Sequence, residues 1–163
     1  MILVALGSNL TGPWGSPRDT VLRALKEMHL HNIRVLTVSR LIETAPFGIV
    51  NQPNFVNAVA RIETALPPEI LMRALHTIER RAGRKRLKRW GPRTLDLDLL
   101  DYHGLVRKPS RYSVKPLALP HPGIEQRSFV LQPILDVAPK WKHPVSHKAA
   151  ALTLRQLTWL NRD

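Results

Sequence analysis

Residues 55–63, Phe55-Val56-Asn57-Ala58-Val59-Ala60-Arg61-Ile62-Glu63 (FVNAVARIE), alternate along their whole length. A period of two is the signature of a strand, because successive side chains leave opposite faces of the pleat. Val56, Ala58, Ala60 and Ile62 are expected on the core face, with Phe55, Asn57, Val59 and Arg61 on the other. Directly after it, Leu66-Pro67-Pro68-Glu69 starts a helix with Ile70, Leu71, Ala74, Leu75 and Ile78 as its apolar stripe, and Gly83 as its stop. Directly before it, residues 44–54 (TAPFGIVNQPN) hold two prolines and a glycine and read as a loop.

Further upstream, residues 33–43 (IRVLTVSRLIE) are β-branched and roughly alternating, which predicts one strand. Ser16-Pro17-Arg18-Asp19 opens a helix with Ser16 as N-cap, carried on by Val21, Leu22, Leu25 and Met28 to about residue 30. Residues 2–7 (ILVALG) read as a buried strand. Downstream, residues 84–93 form a basic loop and residues 94–101 a strand. Seven prolines between Pro109 and Pro144 predict ordered irregular structure with one short helix near 127–136, and an amphipathic helix is expected over about 149–160. The order β-α-β-β-α-β predicts an α+β fold of ferredoxin-like kind, an antiparallel sheet with helices packed on one face, in a single domain over 1–163.

Composition narrows the function classes. Without cysteine there is no disulfide framework, thiolate nucleophile or zinc–thiolate site. The apolar run at the N-terminus is only six residues long and lacks a basic leader, so a signal peptide is not expected, and no stretch is long enough to span a bilayer. A cytoplasmic setting fits. Lys and Arg number 25 against 12 Asp and Glu, a formal charge of +13. Such an excess attracts polyanions, whether nucleic acid, anionic membrane or phosphorylated small molecules.

The charge has structure. Residues 80–93 (RRAGRKRLKRWGPR) carry eight basic side chains and no acid, and the next stretch, Thr94-Leu95-Asp96-Leu97-Asp98-Leu99, carries two acids. In a strand Asp96 and Asp98 share one face, while Leu95, Leu97 and Leu99 pack on the other. Carboxylates about 7 Å apart repel modestly unless a cation sits between them, and Mg²⁺ is a hard ion held by one or two carboxylates plus substrate phosphates. Alone, a D-x-D in a strand is more often an acidic outer face than a metal site. Beside a run of phosphate-neutralising arginines it matches the division of labour in Mg-nucleotide chemistry. There is no G-x-x-x-x-G-K-[ST], and Gly7, Gly12 and Gly15 do not form G-x-G-x-x-G, so side chains rather than a glycine cradle would hold a nucleotide.

RWGPRTLDLDLL (residues 89–100) resembles the signature of the 6-hydroxymethyl-7,8-dihydropterin pyrophosphokinase family of folate synthesis. ALGSNL, ETAPFG, QPNFVNA, IERRAGR and LPHPGIEQRSFVLQPILDVAP resemble the same family in the same order, so the likeness spans about residues 2–139. It implies transfer of the β,γ-diphosphate of ATP to the pterin hydroxymethyl group, with release of AMP and two Mg²⁺ ions on Asp96 and Asp98. By the same resemblance Arg84 and Arg86 are loop arginines that close over the triphosphate, and Glu79, Arg89, Arg93, His121 and Arg127 fall at ATP-side positions. Phe55 and Phe129 match the rings around the pterin, Asn57 a polar contact to its edge, Thr44, Pro46 and Phe47 the loop beside it, and Trp90 a residue that seals the site. Small-molecule substrates and a monomer are implied, with no membrane or nucleic-acid partner. The rivals are an RNA-binding ferredoxin-like domain, which would suit the charge but lacks the K/R-G-F/Y-G/A-F-V-x-F/Y run, and another D-x-D nucleotidyltransferase that releases pyrophosphate.

Overall fold

The computed structural model describes residues 1–85, 91–110 and 116–160. Its elements are β1 (Ile2–Ser8), α1 (Pro17–His29), β2 (Arg34–Val38), β3 (Ile42–Thr44), β4 (Phe55–Glu63), α2 (Pro68–Arg81), β5 (Asp96–Tyr102), α3 (Ser128–Val137) and α4 (Ala150–Leu160). The strands form one antiparallel sheet in the order β2-β4-β1-β5, with β3 also paired to β4.

The alternation of residues 55–63 is the strand β4 from end to end. Its partner β1 is buried on both faces, as expected of an inner strand. Val4, Leu6, Ala58, Ala60, Ile62, Leu97 and Leu99 meet Val21, Ala24 and Met28 of α1 and Leu71, Leu75 and Ile78 of α2 in one core. Leu22 and Ile70 fall outside the stripes assigned to them, at 39% and 40% exposure. Thr20 and Glu27 of α1 are buried instead, because a 3.6-residue turn puts 20, 24, 27 and 28 on one side and carries position 22 away.

Two expectations are corrected. Helices cover both faces of the sheet, not one. Leu3, Val59 and Leu100 point away from α1 and α2 and pack with Val130, Leu131, Ile134, Val137 and Trp141 in a second core under α3 and α4. An apolar side chain on the outward face needs a cover, and the C-terminal helices supply it. The single strand expected over 33–43 is two strands. Ser39 breaks it: its N–H donates to Val59 O, its Oγ accepts from Val59 N–H, and the same hydroxyl donates to Arg40 O. Arg40 then turns out to grip Asp136 of α3 with its backbone N–H and both arms of its guanidinium.

Helix α2 ends where Gly83 was expected to end it, with Gly83 at φ +84°. Gly83 N–H donates to Arg80 O and Arg84 N–H to Glu79 O, the paired bonds of a Schellman motif. This stop fixes where Arg84 leaves the helix.

The second core contains a buried polar anchor at Trp141. Trp141 Nε1–H donates to Asp101 Oδ2 at 2.7 Å, and Asp101 Oδ1 accepts from Gly104 N–H at 2.9 Å. Trp141→Phe keeps most of the apolar area and deletes the donor to a carboxylate that is 4% exposed. The expected loss is about 1–3 kcal/mol of unfolding free energy, read from the urea midpoint at unchanged m-value.

Candidate active site

The second face of the sheet changes character along its length. At one end Leu3, Val59 and Leu100 lie under α3 and α4. At the other end the same face carries Ala5, Gly7, Phe55, Asn57, Asp96 and Asp98, and these line a pocket of about 310 Å³. Register builds it: Gly7 pairs with Asn57 on one side and Asp96 on the other, and Ala5 with Val59 and Asp98. The small residues of β1 leave the hollow, and longer side chains on either side wall it.

One wall is aromatic. Phe47, Phe55 and Phe129 line the pocket with Thr44 and Asn57. Phe47 and Phe129 stand 6.1 Å apart between centroids, tilted by 55°. Asn57 Nδ2 donates to Thr44 Oγ1 at 2.6 Å, which leaves its carbonyl oxygen for other donors. A Cβ on Gly7 would stand 2.9 Å from Asn57 Oδ1, so any larger residue there would push the Asn57 amide aside. Pro46 lies on the outer rim with Phe129 and Gln132.

The other wall is ionic. Asp96 accepts from Arg84 at 2.7 Å and from Arg93. Glu79 is buried behind them; it accepts from Arg84 and, at 2.8 Å, from the backbone N–H of Leu97. Burial pulls the Arg84 guanidinium down, but Asp96 and Glu79 outweigh it and hold Arg84 above its ordinary value. Asp98 has a different neighbourhood. Enclosure and the charge of Asp96 push its carboxyl up to about 7, against the opposing pull of Arg127. Arg127 lies 5.9 Å from the Phe47 ring centroid and 6.0 Å from that of Phe129, bridging the aromatic and ionic walls.

His121 faces the acids with its Nε2 3.8 Å from Asp98 Oδ2. Burial and Arg127 pull its pKa down to about 4. Its Nδ1 accepts from Gly123 N–H at 3.1 Å, so in the neutral ring the proton sits on Nε2, toward Asp98.

The donor set suits Mg²⁺. Two carboxylates project from one strand face, and one of them is destabilised as an anion by the other. Among the described residues no group of three His, Cys, Asp or Glu side chains could close around a metal. Phosphate and water oxygens would then complete the shell, as Mg²⁺ prefers.

Of the residues assigned from sequence, Thr44, Phe47, Phe55, Asn57, Arg93, Asp96, Asp98, His121, Arg127 and Phe129 meet at this one pocket. Arg86, Arg89 and Trp90 lie outside the described residues. Gly7 and Asn9 were not singled out. Gly7 was visible in ALGSNL, but its role depends on which strands flank it.

An antiparallel α+β sheet covered on both faces, with an aromatic slot that opens onto paired carboxylates and arginines, is the class that fold and site define. The family model described as 7,8-dihydro-6-hydroxymethylpterin-pyrophosphokinase (HPPK) matches residues 3–139, and the chain belongs to that family. The 2-amino-4-hydroxy-6-hydroxymethyldihydropteridine pyrophosphokinase of Haemophilus influenzae is 41% identical over 136 residues, which is 83% of this chain and 79% of that protein. Its namesake in Pseudomonas aeruginosa is 42% identical over 144 residues, 88% of this chain and 83% of the relative. The folic acid synthesis protein fol1 of Schizosaccharomyces pombe is 37% identical over 155 residues; the match covers 94% of this chain and only 20% of that longer protein. In fold, the chain is similar to a crystal structure of Plasmodium falciparum HPPK-DHPS with pteroate, at a TM-score of 0.74 and 12% identity, covering 95% of this chain and 42% of that one.

Proposed function

We propose that the protein transfers the β,γ-diphosphate of ATP to 6-hydroxymethyl-7,8-dihydropterin, releasing AMP, as a step of folate synthesis. The observation that carries this reading is the junction, within one pocket, of an aromatic slot with an acid pair flanked by Arg93 and Arg127, with Arg84 held on Asp96 behind them. A flat heterocycle would stack in the slot lined by Phe55 and Phe129, with Asn57 and Thr44 to read its polar edge. The triphosphate lies toward the arginines.

Asp96 and Asp98 would hold two Mg²⁺ ions. When bound, Mg²⁺ neutralises phosphate oxygens and acidifies an attacking hydroxyl. Arg84 and Arg93, now on Asp96, are placed to exchange that carboxylate for phosphate, and Arg127 presents a third cation from the far wall. The pterin hydroxymethyl oxygen gives up its proton to solvent and forms the bond to the β-phosphorus, the bond from that phosphorus to the α-phosphate oxygen breaks, and AMP departs. His121, neutral at physiological pH, offers its Nε2–H to a phosphate oxygen without adding to the charge. The basic loop of Arg84, Arg86 and Arg89, with Trp90, would exclude water, which otherwise competes as acceptor.

The same reading takes residues 1–163 as one pyrophosphokinase domain, working as a monomer on small molecules in the cytoplasm. It treats the sheet as ferredoxin-like, which the β-α-β-β-α-β order left when the short β3 is set aside and the β2-β4-β1-β5 arrangement support. Among the described residues no helix is long and apolar enough to cross a membrane.

The direct test is AMP formation by purified protein from ATP, Mg²⁺ and hydroxymethyl-dihydropterin. Release of pyrophosphate, or no AMP, overturns the reading. A sharper test is Gly7→Ala. The new methyl group displaces Asn57, so the pterin KM should rise by about 10-fold, the scale of one lost polar contact. The KM for ATP should stay within twofold, with each substrate varied in turn.

A further inference from the structure

Asn9 follows β1 and is 2% exposed. Its side-chain amide makes three hydrogen bonds. Oδ1 accepts from the backbone N–H of Arg93 at 2.8 Å. Nδ2 donates to Gln52 Oε1 and to Pro53 O, each at 2.9 Å. The backbone joins in, since Asn9 N–H and Leu10 N–H both donate to Arg93 O, at 3.0 and 3.2 Å. Gln52 extends the chain, with Nε2 donating to Ile49 O at 2.7 Å.

These bonds run between two segments that are separate in sequence and adjacent at the site. One carries Arg93, which holds Asp96. The other is the 45–54 segment, which carries Phe47 on the aromatic wall and leads into Phe55 at the start of β4. We propose that Asn9, with Gln52 as its extension, is a positioning residue that sets the spacing between the phosphate-binding and ring-binding halves of the pocket. The assignment rests on the diphosphate-transfer reading for what the two halves bind, but not for the clamp itself.

The chemistry at Asn9 is directional. Arg93 N–H requires an acceptor, and Pro53 O requires a donor; a carbonyl cannot be turned into anything else. An amide supplies both ends. A carboxylate of the same shape keeps the acceptor for Arg93 and sets an oxygen against Pro53 O and Gln52 Oε1. Gln52 could turn its own amide to answer, but only by giving up Ile49 O. Asn9→Asp therefore separates the two halves: it preserves the Arg93 side and breaks the loop side.

Three variants test this, with kinetics for each substrate and backbone amide exchange without substrate. Asn9→Asp and Gln52→Ala should raise the pterin KM by about 10-fold and leave the ATP KM within twofold. Asn9→Ala loses both sides and should raise both KM values. In exchange, Gln52→Ala should speed the amides of residues 49–52 and leave the Arg93 amide slow, whereas Asn9→Ala should speed both. Equal effects of Asn9→Asp on both substrates, or a lowered melting temperature with unchanged KM values, would make Asn9 a fold residue only and overturn the proposal. Gln52→Ala alters a partly exposed side chain and decides the matter if an Asn9 variant does not fold. If the wild type forms no AMP, the diphosphate-transfer reading fails, and the exchange pattern alone decides whether the clamp exists.

Discussion

Asp98→Ala is expected to lower AMP formation by at least about 1,000-fold, the scale of several kcal/mol of lost charge stabilisation, in a protein that remains folded. The two halves of this result have one cause. Asp98 sits beside Asp96 in an enclosed site, with its carboxyl pushed up to about 7. Its charge is unfavourable until a cation arrives, so it serves the bound state at the expense of the free one. Without Mg²⁺ the variant should melt no lower than the wild type. The sign follows from linkage: a carboxyl raised from 3.8 to about 7 on folding binds a proton in the native state that the unfolded chain has lost. That contribution is complete below about pH 4 and disappears as pH rises through about 7. The melting temperature of the wild type relative to Asp98→Asn should therefore fall between pH 5 and pH 8, without metal. A parallel pH profile in the two proteins, or activity surviving in Asp98→Ala, would contradict the assignment.

Glu79→Ala should be the most destabilising single change at the site. Glu79 is 3% exposed and joins three elements: it leaves α2, accepts from Leu97 N–H at the head of β5, and holds Arg84 after the helix stop. Its removal leaves a buried N–H without that acceptor and a largely buried guanidinium that has lost one of its carboxylate partners. Breaking one partner out of a buried ion pair costs about 3–5 kcal/mol, to be read from urea denaturation. Glu79→Gln keeps an acceptor for Leu97 N–H and should lose less than half as much. Activity should fall in both, because Arg84 loses the partner that aims it. A Glu79→Ala protein as stable as the wild type would show that Glu79 belongs to the substrate and not to the scaffold.

The alternation of residues 55–63, the acid pair on one face of β5, the N-cap at Ser16 and the stop at Gly83 were all legible, because each depends on neighbours within about one turn or one pleat. The break at Ser39 was not. A serine among β-branched residues reads as strand until Val59, twenty positions away, supplies the partners for its hydroxyl and N–H. The cover over Val59 was missed for a similar reason. Periodicity places Val59 opposite Ala58 but says nothing about whether a later helix returns to bury it.

The sequence by itself determined the chemistry carried by each segment: which residues are acidic, basic or aromatic, and which face of their own strand they take. Local sterics decide those matters. Only the tertiary structure decided that Gly7 stands between Asn57 and Asp96, that Arg84 and Arg93 converge on the Asp96 carboxylate, and that Asn9 ties Arg93 to Gln52. Those contacts join residues up to 89 positions apart (Gly7 to Asp96). They arise from strand register and helix packing, which bring distant segments together through burial that no short window of sequence contains.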